Sequence, residues 1–321
     1  MTSLRGNRFL VIGRAGMDFY ADPPGTKVHE ATQFTTALGG SSANIAAGLV
    51  RQGASAALLT AVSDDAVGLY ARGQLEAYGV DQRYVATVGG EARNSLAIVA
   101  TRLDDTQSVI YRNGAADFEM TVDMVEAVDY AQFDAVVTTG TVFAAEPSRG
   151  AAFRALELAQ DAGLTIVFDI DYRPYSWPSA AVAEDVYSRV AAMCDIVVGN
   201  DEEFGFLAGG YDKGQEAARL LAQKSDRIIV YKMGEKGAVT YSDNGTMATG
   251  IYRTDALKPT GAGDSFMAGF LSSLSARKPL KEAILRGSAA AAIVVARVGC
   301  APAMPTSDEL DTFLSNRPEP G

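Results

Sequence analysis

One histidine, two cysteines and one tryptophan are all that 321 residues contain of these types, and each scarcity removes a class of function. The histidine, His29, sits in a Pro-, Gly- and Thr-rich stretch at 23–36 that reads as a loop, so chemistry built on a histidine base has no natural place here. Cys194 and Cys300 lie far apart in apolar surroundings. A disulfide framework or a thiolate zinc site needs more ligands at short spacing, so two buried structural thiols are expected. Positive charge is also short, with 28 Lys and Arg against 39 Asp and Glu and a net charge of -11. Non-specific binding to nucleic acid or to an acidic membrane needs the opposite sign of field, so neither partner is expected. A few local arginines can still hold a small anion, because the mean field is screened beyond roughly 8 Å. No apolar run approaches the ~18 residues of a membrane span. The apolar residues at 10–12, between Arg8 and Gly13, are too few for the core of a signal peptide. A cytoplasmic location is the expectation.

What is present is ordinary for a globular protein, 48% hydrophobic and 21% charged, and long enough for one large domain. Short apolar runs at 9–12, 57–61, 135–138, 165–169, 195–198 and 227–231 predict strands. Between them, apolar spacings of three and four predict helices at 42–52, 68–78, 149–161 and 215–224. Gly53, Gly79 and Gly163 follow closely on three of these, the usual C-terminal stop. Strands alternating with helices predict βαβ units, hence a parallel sheet covered on both faces. Two stretches break the rhythm. Residues 17–34 lack a helical period, and 94–103 with 107–111 read as paired strands around a polar turn at 104–106. A small β-sheet built from insertions at about 14–37 and 92–117 would project over the main sheet as a lid. The final third, rich in small residues, predicts two packed helices at 265–275 and 283–298.

The segment with most chemical content is Pro259-Thr260-Gly261-Ala262-Gly263-Asp264-Ser265-Phe266, running into a helical pattern. Small residues let several backbone N–H groups face one anion, and a following helix adds the positive end of its dipole. Such a nest suits a phosphoryl group in transfer. Asp264 at its edge could accept the proton of an attacking hydroxyl; it could equally cap the helix while the glycines form a tight turn. A second segment, Gly39-Gly40-Ser41-Ser42-Ala43-Asn44, pairs close backbone approach with an amide that can both donate to and accept from a polyol. A glycine turn with a serine cap would explain the glycines but not Asn44. No Gly-x4-Gly-Lys-Ser/Thr pattern occurs, which excludes a P-loop, and Gly13-Arg14-Ala15-Gly16 does not supply a dinucleotide fingerprint.

In this order, the two segments resemble the ribokinase-like (PfkB) carbohydrate kinases, over nearly the whole chain. The resemblance takes in Asp18 after the first strand, Gly39, Gly40 and Asn44 on the sugar side, and Asn200-Asp201-Glu202-Glu203. It also takes in Lys232-Met233-Gly234-Glu235-Lys236-Gly237 and Gly261–Asp264. It implies a three-layer α/β/α sandwich with a mostly parallel sheet and a β lid, through which homodimers form. It also implies ATP at Asn200, Lys232, Gly234, Gly237, Thr260, Gly261 and Gly263, magnesium organised by Glu203 through water, an anion hole at Gly261, Ala262 and Gly263, and Asp264 as base.

Within that family, Phe168-Asp169-Ile170-Asp171-Tyr172-Arg173-Pro174-Tyr175-Ser176-Trp177, Tyr111-Arg112-Asn113 and Ala303-Met304-Pro305-Thr306 are similar to the 5-dehydro-2-deoxygluconokinases of inositol catabolism. The 2-keto-3-deoxygluconate kinases also carry both arginines. A guanidinium matches a sugar acid's carboxylate, so Arg112 and Arg173 are candidates to hold it, with Asp18 and Asn44 on the hydroxyls; surface or inter-strand ion pairing is the other reading of these arginines. Fructokinase and adenosine kinase remain alternatives, as does a non-catalytic sugar- or nucleotide-binding regulator. One departure is Lys258-Pro259-Thr260, where many members have Asp-Thr-Thr and bind a monovalent cation. An ammonium there would replace or repel that ion, so potassium activation is not expected.

Overall fold

The computed structural model describes residue 4 and residues 6–103, 105–223 and 226–320; the predicted turn residue Asp104 and the predicted helix end at 224 lie outside these. Thirteen strands are formed among the described residues: β1 (Arg8–Ile12), β2 (Gly16–Asp22), β3 (Gln33–Gly39), β4 (Ser55–Ser63), β5 (Val85–Val88), β6 (Leu96–Val99), β7 (Ser108–Tyr111), β8 (Ala135–Thr139), β9 (Thr165–Asp169), β10 (Ile196–Asn200), β11 (Ile228–Lys232), β12 (Ala238–Ser242) and β13 (Gly245–Thr249). The helices are α1 (Ser41–Arg51), α2 (Ala66–Ala77), α3 (Val122–Glu126), α4 (Ser148–Asp161), α5 (Ala180–Met193), α6 (Asp201–Leu207), α7 (Gly214–Ala222), α8 (Ala262–Ser275), α9 (Leu280–Val295) and α10 (Ser307–Ser315).

Nine strands form the main sheet in the order β13-β12-β11-β10-β9-β8-β1-β4-β5. The pairs from β11 through to β5 are parallel, and the terminal hairpin β12–β13 is antiparallel. The central strands are apolar on both faces because both faces are covered. In β1, Leu10 and Ile12 enter a core with α4, α5 and α7, while Phe9 and Val11 enter a second core with α1, α2, α8 and α9. This is the expected sandwich. The edge strand β5, the β12–β13 hairpin, and α5 and α10 were not legible as patterns: β5 is only four residues long, and the hairpin's outer strand is largely exposed, so neither carries a sustained apolar period.

Residues 16–39 and 96–111 form the second sheet, ordered β3-β2-β6-β7. β6 and β7 pair antiparallel from Leu96↔Tyr111 to Val99↔Ser108, as the sequence predicts, and the non-helical stretch at 17–34 becomes most of the β2–β3 pair.

The layer of α1, α8 and α9 is packed through small residues. A Cβ on Gly48 of α1 would stand 2.6 Å from the Ala268 Cβ of α8 and 3.1 Å from the Met304 sulfur. A Cβ on Gly287 of α9 would stand 2.9 Å from Phe266. Glycine inside a helix ordinarily weakens it; here it allows the axes to close. Gly48→Val is therefore expected to destabilise the fold by about 1–3 kcal/mol through overpacking, read as a lowered midpoint in urea unfolding. An unchanged midpoint would show that the contact can relax freely.

Candidate active site

In a parallel sheet all strands end on the same side, and ligands bind outside those carboxyl ends. Here β9 ends at Asp169, β10 at Asn200 and β11 at Lys232, and all three residues line a cavity of about 970 Å³. The first turns of α1 and α8 and the inner side of the second sheet complete it.

The glycine segment opens α8. Gly261 is its N-cap, with φ of 87°, and no side chain caps this end. A Cβ on Gly261 would stand 2.6 Å from the Cys300 sulfur, whereas one on Gly263 would meet nothing closer than the Lys232 ammonium at 3.8 Å. The helix start therefore presents backbone N–H groups that lack intrahelical partners, and a lysine stands beside them. Thr260, Gly261, Ala262 and Gly263 all face the cavity, as do Gly234 and Gly237 from the turn after β11.

Asp264 occupies the first turn of α8 but caps nothing. Asn44 Nδ2 donates to its Oδ2 at 2.8 Å, and the Cys300 thiol approaches the same oxygen at 3.4 Å. Oδ1 accepts from no protein group among the described residues. Burial pushes this carboxyl up to about 6, helped by the nearby negative charge of Asp171 and opposed by the bonds from Asn44 and Cys300. Asn44 keeps a buried Oδ1 without a protein partner, an acceptor free for a ligand. Asp18, on β2, is likewise pushed up to about 6 by burial. Its Oδ2 accepts from the Tyr20 hydroxyl at 3.2 Å, and its Oδ1 is buried without a partner.

One expected residue lies elsewhere, and several others are tied to protein partners. Gly39 does not line the cavity; a Cβ there would stand 1.9 Å from Asp18 Oδ1, so this glycine makes room for the carboxylate rather than for a ligand. Gly40 does line it, with φ of 98°. Arg112 and Arg173 line the cavity but already have acidic partners. Arg112 is buried, ion-paired with Asp117 and bonded to the Thr141 carbonyl at 2.9 Å; Arg173 pairs with Asp171 at 2.6 Å. Asn200 and Glu203 cap α6 reciprocally: Asn200 Oδ1 accepts the Glu203 N–H and Glu203 Oε2 the Asn200 N–H, both at 2.8 Å. Glu203 Oε1 also accepts the Tyr172 N–H at 3.3 Å. Both glutamate oxygens thus accept from backbone and each keeps a further lone pair.

Asp169, Asp171 and Arg14 are cavity residues whose weight the sequence did not convey. Asp169 is buried beside Lys232, and its carboxyl is pushed well above its ordinary value, chiefly by desolvation. Asp171, at φ of 38°, accepts from Ser41 at 2.7 Å and so ties β9 to the start of α1. The aspartate spacing after β9 was visible, but nothing in it distinguished ligand-facing carboxylates from turn residues. Among the described residues no three acidic, histidine or cysteine side chains are grouped to enclose a metal. Asp169, with no hydrogen-bond partner among the described residues, and Glu203 suit a cation that keeps much of its water, as magnesium does. Lys258 is fully buried, and its ammonium donates to the carbonyls of Thr260 at 2.5 Å and Val294 at 3.4 Å.

A parallel sheet that ends in a glycine-lined helix start, beside a half-engaged carboxylate and beneath a second sheet, is the layout of a small-molecule phosphotransferase. The sequence profile of the pfkB family carbohydrate kinases matches residues 7–307, and the chain belongs to that family of ATP-dependent sugar kinases. It is 36% identical over 314 residues to a 5-dehydro-2-deoxygluconokinase of Photobacterium profundum, covering 96% of this chain and 95% of that one. Among solved structures, a PfkB protein from Polaromonas sp. JS666 superposes with a TM-score of 0.82 at 26% identity, covering 95% and 99% of the two chains. A putative ribokinase II from E. coli, solved with ATP and magnesium, shares the fold with a TM-score of 0.86 at 20% identity, covering 97% of this chain and 100% of that one. No helix among the described residues is long and apolar enough to cross a membrane.

Proposed function

We propose that this kinase transfers the γ-phosphoryl group of ATP to the terminal hydroxyl of a sugar acid, 5-dehydro-2-deoxygluconate being the best candidate. The observation that carries the reading is the state of Asp264. One oxygen is fixed by Asn44 while the other is open, at a start of α8 that no side chain caps. The substrate hydroxyl gives its proton to Oδ1 as its oxygen attacks the γ-phosphorus, and the bond to the β-phosphate oxygen breaks to release ADP. The N–H groups of the 261–263 segment and the Lys232 ammonium take up the charge on the transferring oxygens. Bound magnesium would screen the phosphates, held through water by Asp169 and Glu203. Asp18 and Asn44, each with an unpartnered buried oxygen, accept from the sugar's hydroxyls. The name of the Photobacterium relative supports the sugar-acid assignment.

Removing the base while keeping its shape is the direct check. Asp264→Asn is expected to lower kcat by roughly 10²–10⁴ with little change in ATP affinity; wild-type turnover in this variant would remove Asp264 from the role. The base works only when ionised, and its pKa is raised to about 6. Turnover should therefore be constant above that pH and fall about tenfold per unit below it, and a profile flat down to pH 4 would contradict the assignment.

The substrate is settled by ADP release with 5-dehydro-2-deoxygluconate, 2-keto-3-deoxygluconate, fructose and ribose. The first is expected to have the highest kcat/KM, and a preference for either neutral sugar would overturn the sugar-acid reading. Lys258 already supplies a cation to the carbonyls behind the glycine segment. Exchanging sodium for potassium at constant ionic strength should accordingly leave turnover unchanged, and severalfold activation would show that an ion binds despite the lysine.

A further inference from the structure

Four arginines line the cavity; Arg253 is exposed, while Arg14, Arg112 and Arg173 are buried or half-buried and differ in their electrostatic situations. Arg112 has Asp117 as counter-charge and lies over the Phe118 ring, 4.1 Å from its centroid. Arg173 has Asp171. Arg14 is 7% exposed, yet it forms no ion pair among the described residues. Its Nη1 donates to the Ser95 hydroxyl at 2.8 Å, and Nε and Nη2 donate to no protein group among the described residues. Asp18 lies close enough to feel its charge but forms no ion pair with it and accepts from Tyr20 instead. A guanidinium largely withdrawn from water, with Asp18 near but not paired to it, keeps a cost that an anion from outside would relieve.

The surroundings hold this side chain in place. The Ala43 N–H at the start of α1 donates to the Arg14 carbonyl at 3.2 Å. Gly40 permits that approach, since a Cβ there would stand 2.3 Å from the same oxygen. Gly16 leaves space at the other end, where a Cβ would stand 3.1 Å from Nη1. Arg14 also addresses the same space as the other two arginines. The Tyr175 hydroxyl, whose pKa is raised by desolvation, is drawn back by the charges of Arg173, Arg14 and Arg112.

We propose that Arg14 is the residue that recognises the substrate's carboxylate, pairing with it through Nε and Nη2 side by side. This fork suits a planar carboxylate and leaves the bond to Ser95 intact. Arg112 and Arg173, already neutralised, then shape the pocket and set its field without carrying the discrimination. The proposal rests on the sugar-acid reading of the same cavity and assigns that recognition to one residue.

The experiment compares wild type with Arg14→Met, Arg14→Lys and Arg173→Met. The readout is the ratio of kcat/KM for 5-dehydro-2-deoxygluconate to that for fructose, with thermal unfolding to check that each variant is folded. Losing a buried charge pair should lower this ratio about 30-fold or more in Arg14→Met. Arg14→Lys, which keeps the charge but not the fork, should fall between that variant and wild type, and Arg173→Met should change the ratio severalfold at most. If Arg14→Met does not fold, the Arg14→Lys ratio decides, and a wild-type value there overturns the proposal. Discrimination that survives in Arg14→Met, or collapses only in Arg173→Met, overturns the role of Arg14 and leaves the sugar-acid reading standing. A wild-type enzyme without preference for the acid overturns both.

Discussion

The close approach of α1 to α8 is the constraint on which the site depends. Gly48 lies against Ala268 without room for a Cβ, and this brings the first turns of the two helices together. Asn44 and Asp264, 220 positions apart, then meet at 2.8 Å. That bond fixes one oxygen of the carboxylate and leaves the other open. The same helix start has no side-chain cap, so the carboxylate and the N–H groups of that first turn belong to one rigid element. Sites held by helices and strands keep tighter geometry than sites on loops, and the burial that results is also what raises the pKa of Asp264.

Around that junction the protein accumulates charge that it only partly compensates. Asp18, Asp169, Asp171, Glu203 and Asp264 face one cavity with Arg14, Arg112, Arg173, Lys232 and Lys258. Some are closed off locally: Arg112 by Asp117, Arg173 by Asp171, Glu203 by backbone N–H groups, Lys258 by carbonyls. Others are left with open valences among the described residues, namely Asp264 Oδ1, Asp18 Oδ1, Asn44 Oδ1, Asp169, Lys232 and the fork of Arg14. A buried polar group without a partner costs stability, and a fold that keeps several at one place has them ready for ligands.

Much of this was legible in the chain. Six predicted strands and six predicted helices agree with the structure within a few residues, because strands covered on both faces and helices with one apolar side carry the strongest periodicities. The glycine segments marked two places on the cavity wall, Gly40 and Gly261–Gly263, since backbone approach demands small residues whatever the tertiary context. What the chain did not show was the partners of its charged residues. Arg112 and Arg173 looked like the sugar-acid clamp because arginine near a substrate loop is chemically apt, but Asp117 and Asp171 lie within a few residues of them and take up their charge. Arg14 was passed over because it stood in a motif rejected as a dinucleotide fingerprint.

Sequence alone determined the parallel α/β architecture and the family, because periodicity and small-residue spacing are local properties written along one chain. Only tertiary structure decided which charges remain unpaired, that Gly39 serves Asp18 and not a ligand, and that Lys258 faces carbonyls. Each of these depends on distances between segments that sequence order does not encode. Neutralisation is a matter of a few ångströms, and only the folded chain sets them.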